Sequence, residues 1–165
     1  MGDSHVVSNI IFKPNAGVPY GEIYAIEVAT QISIAASGTH YQVTSWTANG
    51  RSNLTTPEFG EGHVKIDKAG VYLVTVSISC KSISAGAIIV HADVRKNNGA
   101  SVYDNIHAHR YMSGGGLDRG SISLSGILNA TVNDTVELWV ANNTNTNNIT
   151  VEDANLSVVH IGGVT

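Results

Sequence analysis

The sequence is poor in the residues that cross-link small proteins or attach them to charged polymers. Cys80 is the only cysteine among 165 residues, so an intrachain disulfide and a cysteine-based zinc cluster are both excluded. Charged residues make up 13% of the chain, and the formal net charge is -4 without any cluster of lysine and arginine. Nucleic acid and anionic lipid surfaces are therefore not predicted partners.

Long apolar runs are also lacking. No stretch approaches the ~18 consecutive apolar residues of a membrane-spanning helix, so no membrane partner is predicted. The opening residues, MGDSHVVSN, contain no basic region followed by an apolar run. We therefore expect synthesis in a cytoplasm without a secretory signal.

Catalytic motifs are missing as well, and the chain is not expected to be an enzyme. There is no GxSxG nucleophile elbow, and the SGGG segment at 113–116 lacks the Lys-Ser/Thr that completes a phosphate-binding loop. Cys80 falls on the apolar face of a predicted strand, where a buried thiol is unreactive.

What the chain does contain is period-two alternation, which predicts β-strands with one buried face. The clearest strand begins at Val71 and carries apolar side chains at its even positions, namely Tyr72, Val74, Val76, Ile78 and Cys80. Val71 and Leu73 interrupt the alternation at its start. We therefore expect that end of the strand to be covered on both faces.

Further strands and turns are predicted along the chain. A strand is predicted over residues 22–36, bent near Thr30, and residues 51–62 are predicted to form a polar surface loop after an Asn49-Gly50 turn. Residues 87–112 predict a hairpin that turns at 97–99. Two more strands, 119–128 and 135–141, precede a last strand, 149–161, whose change of phase predicts a bulge near 153–155. Without any amphipathic helix, roughly eight to ten strands predict an antiparallel sandwich or barrel.

Three of these segments resemble motifs of the C1q/tumour necrosis factor-like jelly rolls. Ala69-Gly70-Val71-Tyr72 resembles the family's AGxY element, and Lys96-Asn97-Asn98-Gly99 resembles the tip of its central hairpin. Residues 121–128 followed by 132–138 are similar to its penultimate strand pair. The resemblance, over residues 23–161, implies an all-β, antiparallel jelly-roll β-sandwich that forms a homotrimer. We assign this domain to residues 22–165 and an N-terminal arm to residues 1–21.

Some apolar residues fall where a lone sandwich would expose them to solvent. Val71, Leu73 and Trp139 are predicted to be trimer contacts, because burying such side chains stabilises an interface. The alternative is that loops of the same subunit cover them.

The N-terminal arm has its own apolar patch, consisting of Val6, Val7, Ile10, Ile11 and Phe12. The prolines and glycines that follow this patch are not compatible with a regular central strand. The arm either lies on its own domain or docks on a neighbouring subunit or another protein.

The resemblance also guides the functional prediction, because family members without collagen stems often decorate particle surfaces. We predict a non-enzymatic structural protein at the virion surface: a trimeric decoration, cement or head-fibre protein on the outside of a bacteriophage capsid. Its partners would be its own copies and the major capsid protein, which the arm would reach. The alternative is a trimeric receptor- or glycan-binding module of a fibre tip or bacterial surface, using Phe59 and Tyr111. A soluble cytokine-type ligand is a third, less favoured interpretation.

Two groups of residues are weak candidates for metal binding, and no cofactor is predicted. His107 and His109 share one strand face and could hold zinc or nickel if His91 and Asp93 of the partner strand come into register. The simpler interpretation is that they are polar residues of a strand face or a subunit contact. Some C1q-type trimers bind calcium, but the acids Asp104, Asp118, Glu152 and Asp153 lack the spacing of a calcium loop.

Overall fold

Two antiparallel β-sheets face each other across an apolar core. The computed structural model describes residues 17–82, 85–115 and 118–163. In chain order the strands are β1 Tyr20–Ala25, β2 Gln31–Ile32, β3 Tyr41–Gln42, β4 Ala48–Asn53, β5 Thr55–Glu58, β6 His63–Ile66, β7 Gly70–Ser82, β8 Ile88–Lys96, β9 Ser101–Met112, β10 Arg119–Ala130, β11 Thr135–Asn142 and β12 Ile149–Gly162. Over these described ranges, no helix is long and apolar enough to cross a membrane.

The strand order places the beginning and the end of the domain side by side. Sheet A has the order β10-β7-β12-β1-β4, with β2 added to β12. Sheet B has the order β5-β6-β11-β8-β9, with β3 added to β11. The all-β antiparallel sandwich predicted from the alternation is thereby confirmed. β1 begins at Tyr20, inside the segment assigned to the arm, whereas residues 1–16 lie outside the described part of the chain.

The core is built from the side chains that the alternation predicted to be inside. Along β7, Tyr72, Val74 and Cys80 are fully buried between the sheets. The Tyr72 hydroxyl donates a 2.6 Å hydrogen bond to the Lys68 carbonyl, so this tyrosine also fixes the turn that precedes its strand. Burial raises the pKa of the Cys80 thiol to about 11, against a smaller lowering by Arg110. The thiol is therefore protonated and unreactive at neutral pH.

The predicted hairpin and the predicted bulge are both present. β8 and β9 pair from Ile88 opposite Met112 to Lys96 opposite Ser101. Their turn contains three consecutive residues of positive φ, Asn97 at 56°, Asn98 at 57° and Gly99 at 76°. In β12 the register shifts between Val151 and Asp153, where the sequence changes phase.

Two local predictions are wrong at the sheet edges. Residues 51–62 are not simply a loop, because β4 and β5 run through most of them and Asn49-Gly50 lies inside β4. The chain passes from β4 in sheet A to β5 in sheet B at Leu54, which has a φ of 51°. Both strands lie at the ends of their sheets, where short, polar strands and Pro57 are tolerated. The predicted strand 22–36 also divides: β1 ends at Ala25, and Glu27 has a φ of 52° before β2 begins.

Two acids of β11 and its preceding turn hold the tip of the β8–β9 hairpin. Glu137 is only 2% exposed. Its carboxylate accepts hydrogen bonds from four donors: Asn98 N (2.7 Å), Gly99 N (3.1 Å), Thr135 Oγ1 (2.6 Å) and Trp139 Nε1 (2.9 Å). Asp134 accepts from Lys96 Nζ at 2.6 Å and Asn97 Nδ2 at 2.8 Å. Two of the three motifs that resemble the jelly-roll family, the hairpin tip at 96–99 and the segment 132–138, are thus in direct contact.

Asp134 should make stability depend on acid pH. Burial by itself would raise its pKa, but hydrogen bonds from Lys96, Thr131 N and Asn97 lower the pKa to about 2. Since its ordinary pKa is 3.8, the stabilisation is complete above that value and is lost as the pH falls through about 2. We expect Asp134→Asn to cost about 1–2 kcal/mol at pH 7.

Denaturant unfolding of the wild type and Asp134→Asn between pH 7 and pH 2 checks this expectation. The difference between their free energies of unfolding should shrink over the last two pH units. A constant difference down to pH 2 would show that the carboxylate is not stabilised in this way.

Candidate functional sites on the outer faces of the two sheets

An apolar row crosses the outer face of sheet A. It consists of Ile127 of β10, Leu73 of β7, Val159 of β12 and Tyr20 of β1, which stand opposite one another in register. Ile127 is 53% exposed, and Val159 and Tyr20 are each 39% exposed. Four neighbouring strands therefore present a continuous line of apolar side chains, here called the apolar row.

Two further apolar residues lie beside the apolar row at one end of sheet A, and small hydroxyl residues lie on its other side. Ile161 of β12 is 51% exposed, and Val71 is half-buried at the same end of the sheet. The outward positions in the middle of β7 and β10 are small hydroxyl residues, namely Thr75, Ser77, Ser79, Ser121, Ser123 and Ser125. Longer side chains follow only beyond them, where Lys81 stands opposite Arg119 at the far end of the two strands.

The predicted trimer contacts lie on two different faces. Val71 and Leu73 are half-buried on the outer face of sheet A, whereas Trp139 lies on the outer face of sheet B. Trp139 already has partners in its own chain, because the Arg95 guanidinium carbon lies 5.1 Å from its ring centroid and Glu137 accepts its indole N–H. Their contact with another subunit stays a prediction. The arm residues Val6, Val7, Ile10, Ile11 and Phe12 lie outside the described residues.

A histidine cluster occupies the outer face of sheet B. The register places His91 opposite His109 and Asp93 opposite His107, which is the alignment that a shared site required. The ring centroid of His91 lies 4.1 Å from that of His109 and 5.4 Å from that of His107. His40, which no sequence motif indicated, also belongs to the cluster, because its ring centroid lies 4.7 Å from that of His91. It precedes β3, and no local spacing connects it to β8.

The ligand atoms of this cluster converge most closely at His40, His91 and Asp93. Among the described residues, these three form the group of potential metal ligands whose donor atoms lie together, within 4.8 Å of one another. His40 Nε2 is 3.3 Å from His91 Nδ1 and 3.6 Å from Asp93 Oδ2. His107 and His109 surround the group through their rings.

The electrostatic environment of the cluster favours uncharged imidazoles. Burial, together with the neighbouring His109 and His40, lowers the pKa of His91 to about 4 against the opposing effect of Asp93. Burial also lowers the pKa of His40, although Asp93 opposes it. Asp93 is 2% exposed and is paired with Arg95, whose Nε and Nη2 reach Asp93 Oδ2 at 3.0 and 2.9 Å.

The acids considered for calcium are engaged separately. Asp118 accepts hydrogen bonds from the backbone and hydroxyl of Ser113, which lower its pKa. Glu152 forms an ion pair with Arg119, and Asp153 accepts from Glu27 N at 3.0 Å. The side chain of Asp104 is outside the described set. These contacts give no calcium cage among the side chains that are described.

The two aromatic residues considered for ligand binding are both exposed. Phe59 is 40% exposed in the turn after β5, and Tyr111 is 67% exposed on β9. Tyr111 stands opposite Ile89 of β8, which is 38% exposed, so the two form a small apolar patch on the outer face of sheet B.

Comparisons with known proteins identify the fold. No protein-family model matches the chain, and no curated protein is significantly similar to it. Among solved structures, Eiger TNF from S. frugiperda superposes with a TM-score of 0.62 at 16% sequence identity, over 89% of this chain and 96% of that chain. In all, 232 chains of solved structures match, so the fold is widespread and does not by itself specify a function. The chain has a TNF/C1q-like jelly-roll fold.

Proposed function

We propose that the protein is a non-enzymatic structural homotrimer and that its apolar row forms part of the subunit contact. The observation that carries this proposal is the row itself, because four strands in register expose apolar side chains that a monomer would leave in water. Burying a side chain such as valine or isoleucine contributes roughly 1.5–3 kcal/mol. Continuous apolar patches of this kind mark protein interaction surfaces more often than chance.

A homotrimer is expected because the similar Eiger structure is named as a TNF, and TNF-like domains assemble as trimers in the family that the sequence resembles. The first measurement is the molecular mass in solution. A mass of about three times the 17.3 kDa of one chain supports the trimer, and a monomer at micromolar concentration contradicts it.

At the finer level, we propose that this trimer decorates the outer surface of a bacteriophage capsid, with the major capsid protein as its partner. The N-terminal arm supports this assignment. Tyr20, where β1 begins, belongs to the apolar row. Five further apolar residues precede it in the sequence, namely Val6, Val7, Ile10, Ile11 and Phe12.

Deletion of residues 1–12 should distinguish trimer formation from attachment to the capsid. We expect the truncated protein to remain a trimer but to lose its cosedimentation with shells of the encoding phage from which the decoration protein has been stripped. A matched control replaces the polar arm residues Ser4 and Asn9 by alanine, which should leave cosedimentation unchanged. If the truncated trimer pellets with the shells as the full chain does, the arm is not the attachment device.

A receptor- or glycan-binding trimer remains the second candidate, favoured by the exposure of Tyr111 beside Ile89. Exposed aromatic rings present the large apolar surface on which sugar rings and partner side chains pack. Specific binding to a glycan array that is lost in Tyr111→Ala would favour this function over shell attachment.

A further inference from the structure

The histidine cluster on sheet B has the spacing of a metal site. Zinc binds imidazole nitrogen and carboxylate oxygen at about 2.0–2.2 Å, so neighbouring ligands of a tetrahedral site lie roughly 3.3–3.6 Å apart. His40 Nε2 lies 3.3 Å from His91 Nδ1 and 3.6 Å from Asp93 Oδ2. Two edges of the ligand triangle therefore already have the required length.

We propose that His40, His91 and Asp93 bind a divalent first-row transition-metal ion, with Zn²⁺ as the reference ion. Two imidazoles and one carboxylate form a ligand set that suits zinc and neighbouring metals. Calcium and magnesium are disfavoured because they prefer sites made entirely of oxygen ligands.

The surroundings of Asp93 fit this role. Arg95 holds Asp93 Oδ2 through two nitrogens, at 3.0 and 2.9 Å, and so fixes the orientation of the carboxylate as outer-shell partners of metal ligands do. His107 and His109 lie against His91 and can contribute a further nitrogen after rotation.

Binding would connect parts of the chain that are distant in sequence. His40 lies between β2 of sheet A and β3 of sheet B, whereas His91 and Asp93 belong to β8. An ion held by all three would fasten this crossover segment to sheet B. The side chain of His40 is 17% exposed, which leaves a route for the ion from solvent.

The test uses the full chain without a polyhistidine tag, treated with a chelator and then dialysed. Zn²⁺ is titrated in competition with a chromogenic chelator, and Co²⁺ is used separately to report coordination through its visible absorption. We expect one ion per chain and at least a tenfold loss of affinity in His40→Ala, with a matching loss of the Co²⁺ spectrum. Saturating Zn²⁺ should also raise the melting temperature of the wild type but not of His40→Ala.

The matched control is His63→Ala, because His63 is also paired with a carboxylate, Glu58 Oε2 at 2.6 Å, but lies outside the cluster. Its Zn²⁺ affinity should equal that of the wild type. His40→Gln, together with circular dichroism of each variant, separates loss of a ligand from loss of the fold. Absence of stoichiometric binding overturns the proposal. So does binding that survives His40→Ala and His40→Gln in folded protein, or binding that His63→Ala weakens equally.

Discussion

Replacing Glu137 by alanine is expected to lower the free energy of unfolding by about 3–5 kcal/mol. The carboxylate is 2% exposed and accepts four hydrogen bonds, two of them from the backbone of Asn98 and Gly99 at the hairpin tip. Alanine would remove the shared acceptor of these two backbone donors and of the Thr135 hydroxyl and the Trp139 indole N–H. The adjoining turn has little freedom to adjust, because Gly99 packs closely on the Trp139 ring. Its φ is 76°, and a Cβ added at this position would lie 2.9 Å from Trp139 Cζ2.

Urea denaturation of the wild type, Glu137→Ala and Glu137→Gln measures the effect. The glutamine variant keeps the size of the side chain but replaces one acceptor by a donor, so we expect an intermediate loss. Glu58→Ala is the matched control, since Glu58 is 36% exposed and pairs only with His63 and Lys65 near the surface. It should cost less than about 1 kcal/mol. Equal costs for Glu137→Ala and Glu58→Ala would show that the hairpin tip does not depend on this carboxylate.

The elements that sequence analysis predicted well are those with a local pattern. Alternation over Tyr72–Cys80 predicted β7 and its buried face, because side chains of a strand point to opposite sides in turn. The same reasoning predicted a bulge in β12 near 153–155, since a change of phase requires an extra residue in the ladder, and the register shifts close by, between Val151 and Asp153. The Asn97–Gly99 turn was predicted because its residues tolerate positive φ.

The predictions that failed or were incomplete depended on partners distant in sequence. β4 and β5 are polar, and only their pairing with β1 and β6 makes them strands. His40 joins His91 because β3 pairs with β11 beside β8, which no local spacing encodes. Alternation also indicated that Leu73 and Trp139 both point away from the core, but it did not assign them to opposite sheets.

The apolar row provides the sharpest test of assembly. Val159→Asp is expected to convert the proposed trimer to single chains at micromolar concentration. Val159 lies at the centre of the row, opposite both Leu73 and Tyr20, and three copies of the change would enter one trimer. Each subunit would lose roughly 1.5–3 kcal/mol of apolar burial and would also have to desolvate a carboxylate. Sedimentation velocity or light scattering measures the resulting mass.

Ile89→Asp is the matched control for this substitution. Ile89 is 38% exposed and Val159 is 39% exposed, and both are branched side chains that point outward from a strand. Ile89 belongs to sheet B, however, and therefore lies on the opposite face of the sandwich. The Ile89→Asp protein should keep the trimer mass, and circular dichroism should show that both variants remain folded. If Val159→Asp keeps the trimer mass, the outer face of sheet A is not the surface that joins the subunits, and if both variants dissociate, the contact is not confined to that face.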